Sequence, residues 1–296
     1  MAIDLRPEIR IQPINHPINR AAGISLSILR LDEIHPQVSG NKWFKLQEYI
    51  RLFREGDYAF ILTFGGAHSN HLIATAAACA ALGIPCRAWV RGFHGQSAET
   101  ETLKECRKLG MELHFVGRDV YIRHDETFLH EVQLQYPGAL IIPEGGYGAM
   151  GIAGAAAITS YIPAETELIC CAIGSGTTFC GIANGLLPHQ SALGFTVFKQ
   201  GATIAEELQA QIPHQRWALA TDYHFGKFAR YTPELIDFIR YMQQEHDLPL
   251  DFVYNAKMLW GLLEMIKQDK IAAQHILCIH TGGLQGNRSI AHLLEA

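Results

Sequence analysis

The sequence predicts an α/β protein built on parallel sheets, and three observations carry that expectation. Short apolar runs alternate with segments of helical periodicity along almost the whole chain. The runs are nearly continuous in apolar residues, as strands covered on both faces are. Glycines cluster just beyond them, where a parallel strand turns into its next helix. With 296 residues the chain is long enough for two modest domains.

Taken in order, the predicted strands cover 59–64, 86–91, 112–116, 139–142, 168–173, 193–198, 217–221 and 275–280. Apolar residues recurring every three or four positions predict helices over 71–82, 99–109, 178–187, 232–245 and 256–267. Another amphipathic helix follows Lys42. Gly65-Gly66, Gly145-Gly146, Gly174 with Gly176, and Gly282-Gly283 each follow a strand. Ligands of open α/β sheets bind beyond the carboxyl ends of the strands, so these four turns point to one shared cleft.

Composition narrows the class. The net charge is −5 and Lys and Arg form no cluster, which argues against a nucleic-acid partner. The opening MAIDLRPEIRIQPINHP places charges and prolines where a signal peptide needs an apolar core. Apolar stretches such as 74–81 are too short to span a bilayer. A cytoplasmic protein without a membrane partner is expected. The seven cysteines are odd in number and show no CxxC pairing, so free buried thiols are expected in place of disulfides or a zinc site.

Five segments could carry chemistry. In Gly174-Ser175-Gly176-Thr177-Thr178 an apolar strand turns into a helix whose first N–H groups would face an anion. No Lys follows these glycines and the spacing is not GxGxxG, so a single phosphate fits better than a nucleotide or dinucleotide. Taken alone, the turn is equally well a plain strand–helix junction. Lys42 lies between a glycine-bearing turn and a helix; a desolvated lysine there is an amine nucleophile, a solvated one merely a surface residue. Ser69, Asn70 and His71 open the helix after Gly65-Gly66, where Asn70 could cap the helix or bind a ligand and Ser69 could relay a proton. His68 and His71 have no third ligand at helical spacing, so no metal is expected. Tyr254 stands at a helix start, and Thr281 places a hydroxyl at the tip of the last strand.

Together the motifs GNKxxKL (from Gly40), GGxxSNH (from Gly65), IPxGG (from Ile142), GSGxT (from Gly174), DxVYxxK (from Asp251) and HTGG (from His280) resemble one family. It is the pyridoxal-phosphate (PLP)-dependent family containing D-cysteine desulfhydrase and 1-aminocyclopropane-1-carboxylate (ACC) deaminase. The resemblance runs from about residue 31 to 283. It implies a two-domain fold of the tryptophan-synthase β type, with a mainly parallel sheet in each domain. Residues 1–45 and 154–296 would form the larger, PLP-binding domain, and 46–153 a smaller, mobile one.

The resemblance also implies roles. Lys42 would hold the cofactor as a Schiff base and move protons at the substrate carbon. Asn70 would bind the cofactor's phenolic oxygen, residues Gly174 to Thr178 its phosphate, and Thr281 would approach the pyridine nitrogen. Ser69 and Tyr254 would assist proton transfer, with Asn70, His71 and Phe228 also beside the substrate. A small amino acid as substrate and a homodimer are implied as well.

Departures from the pattern choose among members. ACC deaminases resemble VYEGK and HLGG, whereas this chain has Asn255 and Thr281 at those positions, which favours D-cysteine desulfhydrase. His68 and Ile73 stand where the family usually has Gln and Arg, Thr177 where it has Gly, and Phe228 where a gap-free count places a second tyrosine. The expected activity is β-elimination from D-cysteine to pyruvate, ammonia and sulfide. Its alternatives are ACC deamination, another PLP deaminase, dehydratase or racemase, and a non-catalytic PLP-binding protein.

Overall fold

A computed structural model describes residues 8–92, 99–117, 121, 126–199 and 203–295. The first seven residues of the opening segment, on which the expected absence of a signal peptide rests, lie outside the described residues. The chain divides into two compact units, Lys42–Gly151 and Glu8–Asn41 with Ile152–Ala296. Its strands are β1 (Ile11–Ile14), β2 (Ser25–Arg30), β3 (Phe60–Gly65), β4 (Cys86–Arg91), β5 (Glu112–Val116), β6 (Ala139–Ile142), β7 (Leu168–Ile173), β8 (Ser191–Thr196), β9 (Trp217–Ala220) and β10 (His275–His280).

In the larger unit the strands lie in the order β1-β2-β10-β7-β8-β9. Every pairing is parallel except β1 with β2. Every residue of β7 is buried, which is why its sequence LICCAI shows no polar alternation. The chain runs outward from β7 through β8 to β9, then returns to place β10 on the other side of β7. This reversal makes β7 and β10 the topological switch point, where the loops leave the sheet in opposite directions and open a crevice. The turns at 174–178 and 281–283 follow these two strands.

The smaller unit repeats the logic with four parallel strands in the order β5-β4-β3-β6. Its reversal falls between β3 and β6, so the turns at 66–70 and 143–147 leave from its switch point. One face is closed by the rings of Phe64, Trp89 and Phe128, with centroids 5.8–5.9 Å apart.

Two strands of the structure, β1 and β2, have no counterpart among the expected ones. IQPI carries a proline and an exposed–buried alternation, as tolerated on an edge strand. SLSILR begins with polar alternation. β8 starts two residues earlier than expected, at Ser191, because residues 191–196 form the ladder with β7.

All seven cysteines are buried, and none is in a disulfide. Cys170 and Cys278 face each other across β7 and β10. No helix among the described residues is long and apolar enough to cross a membrane.

Candidate active site

In the larger unit, β7 runs directly into the helix Thr177–Asn184 through Gly174, Ser175 and Gly176. Gly176 adopts φ +77°, a left-handed turn open to glycine, and a side chain there would press on Leu208. No side chain caps this helix. Its first N–H groups have no intrahelical acceptor, so they remain donors for an anion. The Ser175 and Thr177 hydroxyl oxygens lie 3.0 Å apart. Asn41 Nδ2 donates to Thr178 Oγ1 at 2.8 Å, which leaves the Thr178 proton free to donate onward.

The same asparagine ties this loop to the end of β10. Asn41 N–H donates to the Thr281 carbonyl at 3.1 Å, and Gly40 N–H to that of Leu31 at 2.9 Å. Gly40, at φ +68°, lies so close to this strand end that a Cβ would sit 2.0 Å from the Thr281 oxygen. Lys42 is the next residue.

Thr281 is set by Asn255, which is fully buried. The Asn255 side-chain oxygen accepts from Thr281 N–H at 3.0 Å and from the Thr281 hydroxyl at 3.3 Å. Its amide nitrogen donates to the Gly282 carbonyl at 2.7 Å and to the Asp251 carboxylate. Asp251 also accepts the N–H groups of residues 253, 254 and 255 at 2.7–3.0 Å, and so caps the helix Asn255–Lys267. Asn255 thus has its hydrogen-bonding positions committed to holding a helix start and a strand end together. Tyr254, at that helix start, lies over Gly174; a Cβ on Gly174 would be 3.1 Å from its ring. Phe228 packs edge-on against Tyr254 with centroids 6.0 Å apart. Tyr223 and Tyr231 pack elsewhere, on Phe195 and on Phe252.

In the smaller unit, Lys42 stands in the first turn of the helix Asn41–Glu55. Burial pushes its pKa down to about 8, opposed by the Glu144 carboxylate. Lys45, one turn on, is buried and donates to the Gly145 carbonyl at 3.2 Å. Among the described residues Lys42 makes no such bond, so its amine is the one open to reaction. Ser69 caps the helix Asn70–Leu82 by accepting from Leu72 N–H, and its own proton stays available. Asn70 is half-buried at the first helical position and His68 is exposed.

His71 is buried, and its tautomer follows from its neighbour. Thr63 donates its hydroxyl proton to the Ile142 carbonyl at 2.9 Å, so His71 Nε2 must donate to Thr63 at 2.8 Å. Nδ1 is left as a buried acceptor without a partner. Burial, with Lys42 and then Lys45 nearby, holds the His71 pKa well below the usual histidine range. A neutral imidazole with this tautomer can accept from an amine and cannot bind a carboxylate.

The donor set fits PLP in chemical terms. A reactive amine suits its aldehyde, an uncapped helix start with hydroxyls suits its phosphate, and a hydroxyl at a strand tip suits its ring nitrogen. Asn41, Glu144 and Asp251 lie inside the quoted motifs, yet sequence gave them no role. Their partners sit up to 240 positions away (Asn41 with Thr281), and such bonds leave no local periodicity.

A pH dependence follows from Lys42. Only the neutral amine attacks an aldehyde, and at a pKa near 8 about 10% of it is neutral at pH 7, against about 0.03% for an ordinary lysine. Covalent capture of added PLP by cofactor-free protein, followed by absorbance, should rise roughly tenfold from pH 7 and level off above about pH 8–9. A rate still climbing at pH 10 would contradict this environment for Lys42.

The family model for "Pyridoxal-phosphate dependent enzyme" matches residues 9–282. A Pyrococcus horikoshii protein provisionally named 1-aminocyclopropane-1-carboxylate deaminase is 26% identical over 95% of this chain and 93% of its own. The D-cysteine desulfhydrase of Yersinia enterocolitica is 28% identical over 86% of each. Among solved structures, an ACC deaminase homologue superposes with a TM-score of 0.84 at 26% identity, covering 99% of this chain and 95% of that one.

Proposed function

We propose, since the chain belongs to the pyridoxal-phosphate-dependent enzyme family, that it is a lyase removing the β-substituent of a small amino acid. D-cysteine is the first candidate, which with water would yield pyruvate, ammonia and sulfide. When bound, the cofactor's ring accepts the electron pair left as the substrate's α-proton departs.

The chain's own residues would do the rest. Lys42 would hold the aldehyde and would move a proton at the substrate's α-carbon. Residues 174–178 bind the phosphate through N–H groups and hydroxyls. Thr281 would face the ring nitrogen and Asn70 the phenolic oxygen. Ser69 and Tyr254 hold or pass a proton beside the substrate, with Tyr254 able to protonate the departing sulfur. Phe228 and His71 would border the substrate, His71 as an acceptor toward an amine. A homodimer is the working form expected from the resemblance, and a cytoplasmic location is the one expected from the sequence.

The observation that carries this reading is Asn255. ACC deaminases resemble a pattern with glutamate there, whereas this amide is spent on Asp251, Thr281 and Gly282 and supplies no carboxylate. The Thr281 hydroxyl is neutral and its bond to Asn255 Oδ1 is long, 3.3 Å, so its proton can turn to the ring nitrogen. It would not force protonation there as a carboxylate would, which suits loss of a good leaving group. The second reading is ACC deamination, supported by the relatives that carry that name.

The test compares sulfide release from D-cysteine with keto-acid formation from ACC and from D-serine. Turnover of D-cysteine at least about tenfold more efficient than of ACC is expected. Preference for ACC would replace the first reading with the second.

A further inference from the structure

Segment 222–231 follows β9 and has no regular secondary structure. Its backbone is strained. Phe225 and Ala229 adopt left-handed φ angles of +56° and +55°, which cost a side-chain-bearing residue free energy, and Gly226 between them lies at +98°. Such conformations persist only where the surroundings over-determine them.

Here one face of the helix Asn255–Lys267 does so, through residues 257, 260 and 261. Lys257, 1% exposed, donates from Nζ to the His224 carbonyl at 2.9 Å and to the Val197 carbonyl, just past β8, at 3.0 Å. Trp260 meets the Phe225 ring edge-on at 6.0 Å. Gly261 lets Tyr223 lie against the helix, where a Cβ would be 2.7 Å from its ring. Within the segment, His224 Nδ1 accepts from Gly226 N–H at 2.7 Å.

This fastening delivers Phe228, whose ring meets Phe198 edge-on at 5.8 Å and Tyr254 at 6.0 Å. Despite both contacts Phe228 remains 54% exposed, so a hydrocarbon face stands open beside Tyr254.

We propose that segment 222–231, fastened by the buried Lys257, is the specificity element of this enzyme: it fixes Phe228 beside Tyr254 so that the β-substituent meets a hydrocarbon surface. Substrates with an apolar or soft leaving group, a thiol, thioether or halide, are selected over those losing a hydroxyl. The inference rests on the lyase reading for its substrate class, while the fastening stands on geometry alone. A hydroxyl against the phenyl edge has no hydrogen-bond partner there and loses its water, whereas a sulfur or chlorine atom loses little. Burial pushes the Lys257 pKa down to about 8, against the pull of Asp251, so its charge is disfavoured there and the two carbonyl bonds offset part of that cost.

Two measurements test the proposal. Hydrogen exchange of the amides in 222–231, relative to those of β7, should rise at least about tenfold in Lys257→Met, and it needs neither cofactor nor turnover. Unchanged exchange, or a rise shared equally by β7, would overturn the fastening. The ratio of kcat/KM for β-chloroalanine to that for serine of the same handedness should fall about tenfold in Phe228→Tyr, which restores a hydroxyl, and toward unity in Lys257→Met. A ratio unmoved by Phe228→Tyr would overturn the specificity role even if Lys257→Met fails to fold. Wild-type protein that turns over neither amino acid would sink the lyase reading and with it the substrate class, while the exchange result would still decide the fastening.

Discussion

Replacing Lys42 with alanine is expected to abolish the covalent hold on PLP and lower turnover by about 10³-fold or more. The absorbance band of the bound cofactor should vanish, and borohydride should no longer fix the cofactor's mass to the chain. Hydrogen bonding separates this lysine from two buried ones, Lys45 and Lys257. Lys45 donates to the Gly145 carbonyl, and Lys257 to those of Val197 and His224, so their protons are already placed. Lys42 is desolvated without such an acceptor among the described residues, which is why its pKa falls to about 8. Alanine removes that poorly solvated charge, so the variant should be no less stable than the parent in thermal unfolding. If Lys45→Ala, and not Lys42→Ala, lost the band, the assignment would be wrong.

Gly40→Ala should be the most damaging single methyl in the larger unit. Two costs combine at this position. A left-handed φ of +68° costs alanine about 1 kcal/mol. The added carbon would also lie 2.0 Å from the Thr281 oxygen, so the strand end and the 39–41 turn must separate, for a total on the order of 3 kcal/mol. Separation breaks the Asn41–Thr281 bond and displaces the amide that orients Thr178. Gly23→Ala is the control: it has nearly the same φ, +69°, with nothing within 4 Å of its Cβ. Denaturant unfolding of both variants isolates the clash. Equal losses would mean the close approach of Gly40 to Thr281 contributes nothing.

Much of the scaffold was legible because burial on both faces writes itself into composition. LICCAI and HILCIH show their ends in the sequence, since every residue of the two runs except the exposed His275 is buried. The edge strand β1, with Pro13 and exposed Ile11, lacks that signature and was missed. The candidate residues were legible for a related reason. Parallel sheets place ligand-facing groups at strand tips, and glycines mark where the tips lie. What could not be read is what holds those tips. The bonds of Asn255 to Thr281 and of Lys257 to Val197 and His224 join segments 26 to 60 positions apart. In the sequence Asn255 is a departure from a family pattern; in the structure its amide ties a helix to a strand.

The buried cysteines carry a consequence of their own. Each unit uses its thiols as compact apolar filler, three in Lys42–Gly151 and four in the larger unit, all out of reach of water. No sulfur–sulfur bond closes a loop, so neither the stability nor the topology of either unit depends on the electrochemical poise of its surroundings. An oxidant has no thiolate at the surface to seize, and a reductant has no bridge to open. The native fold is, in that sense, redox-indifferent.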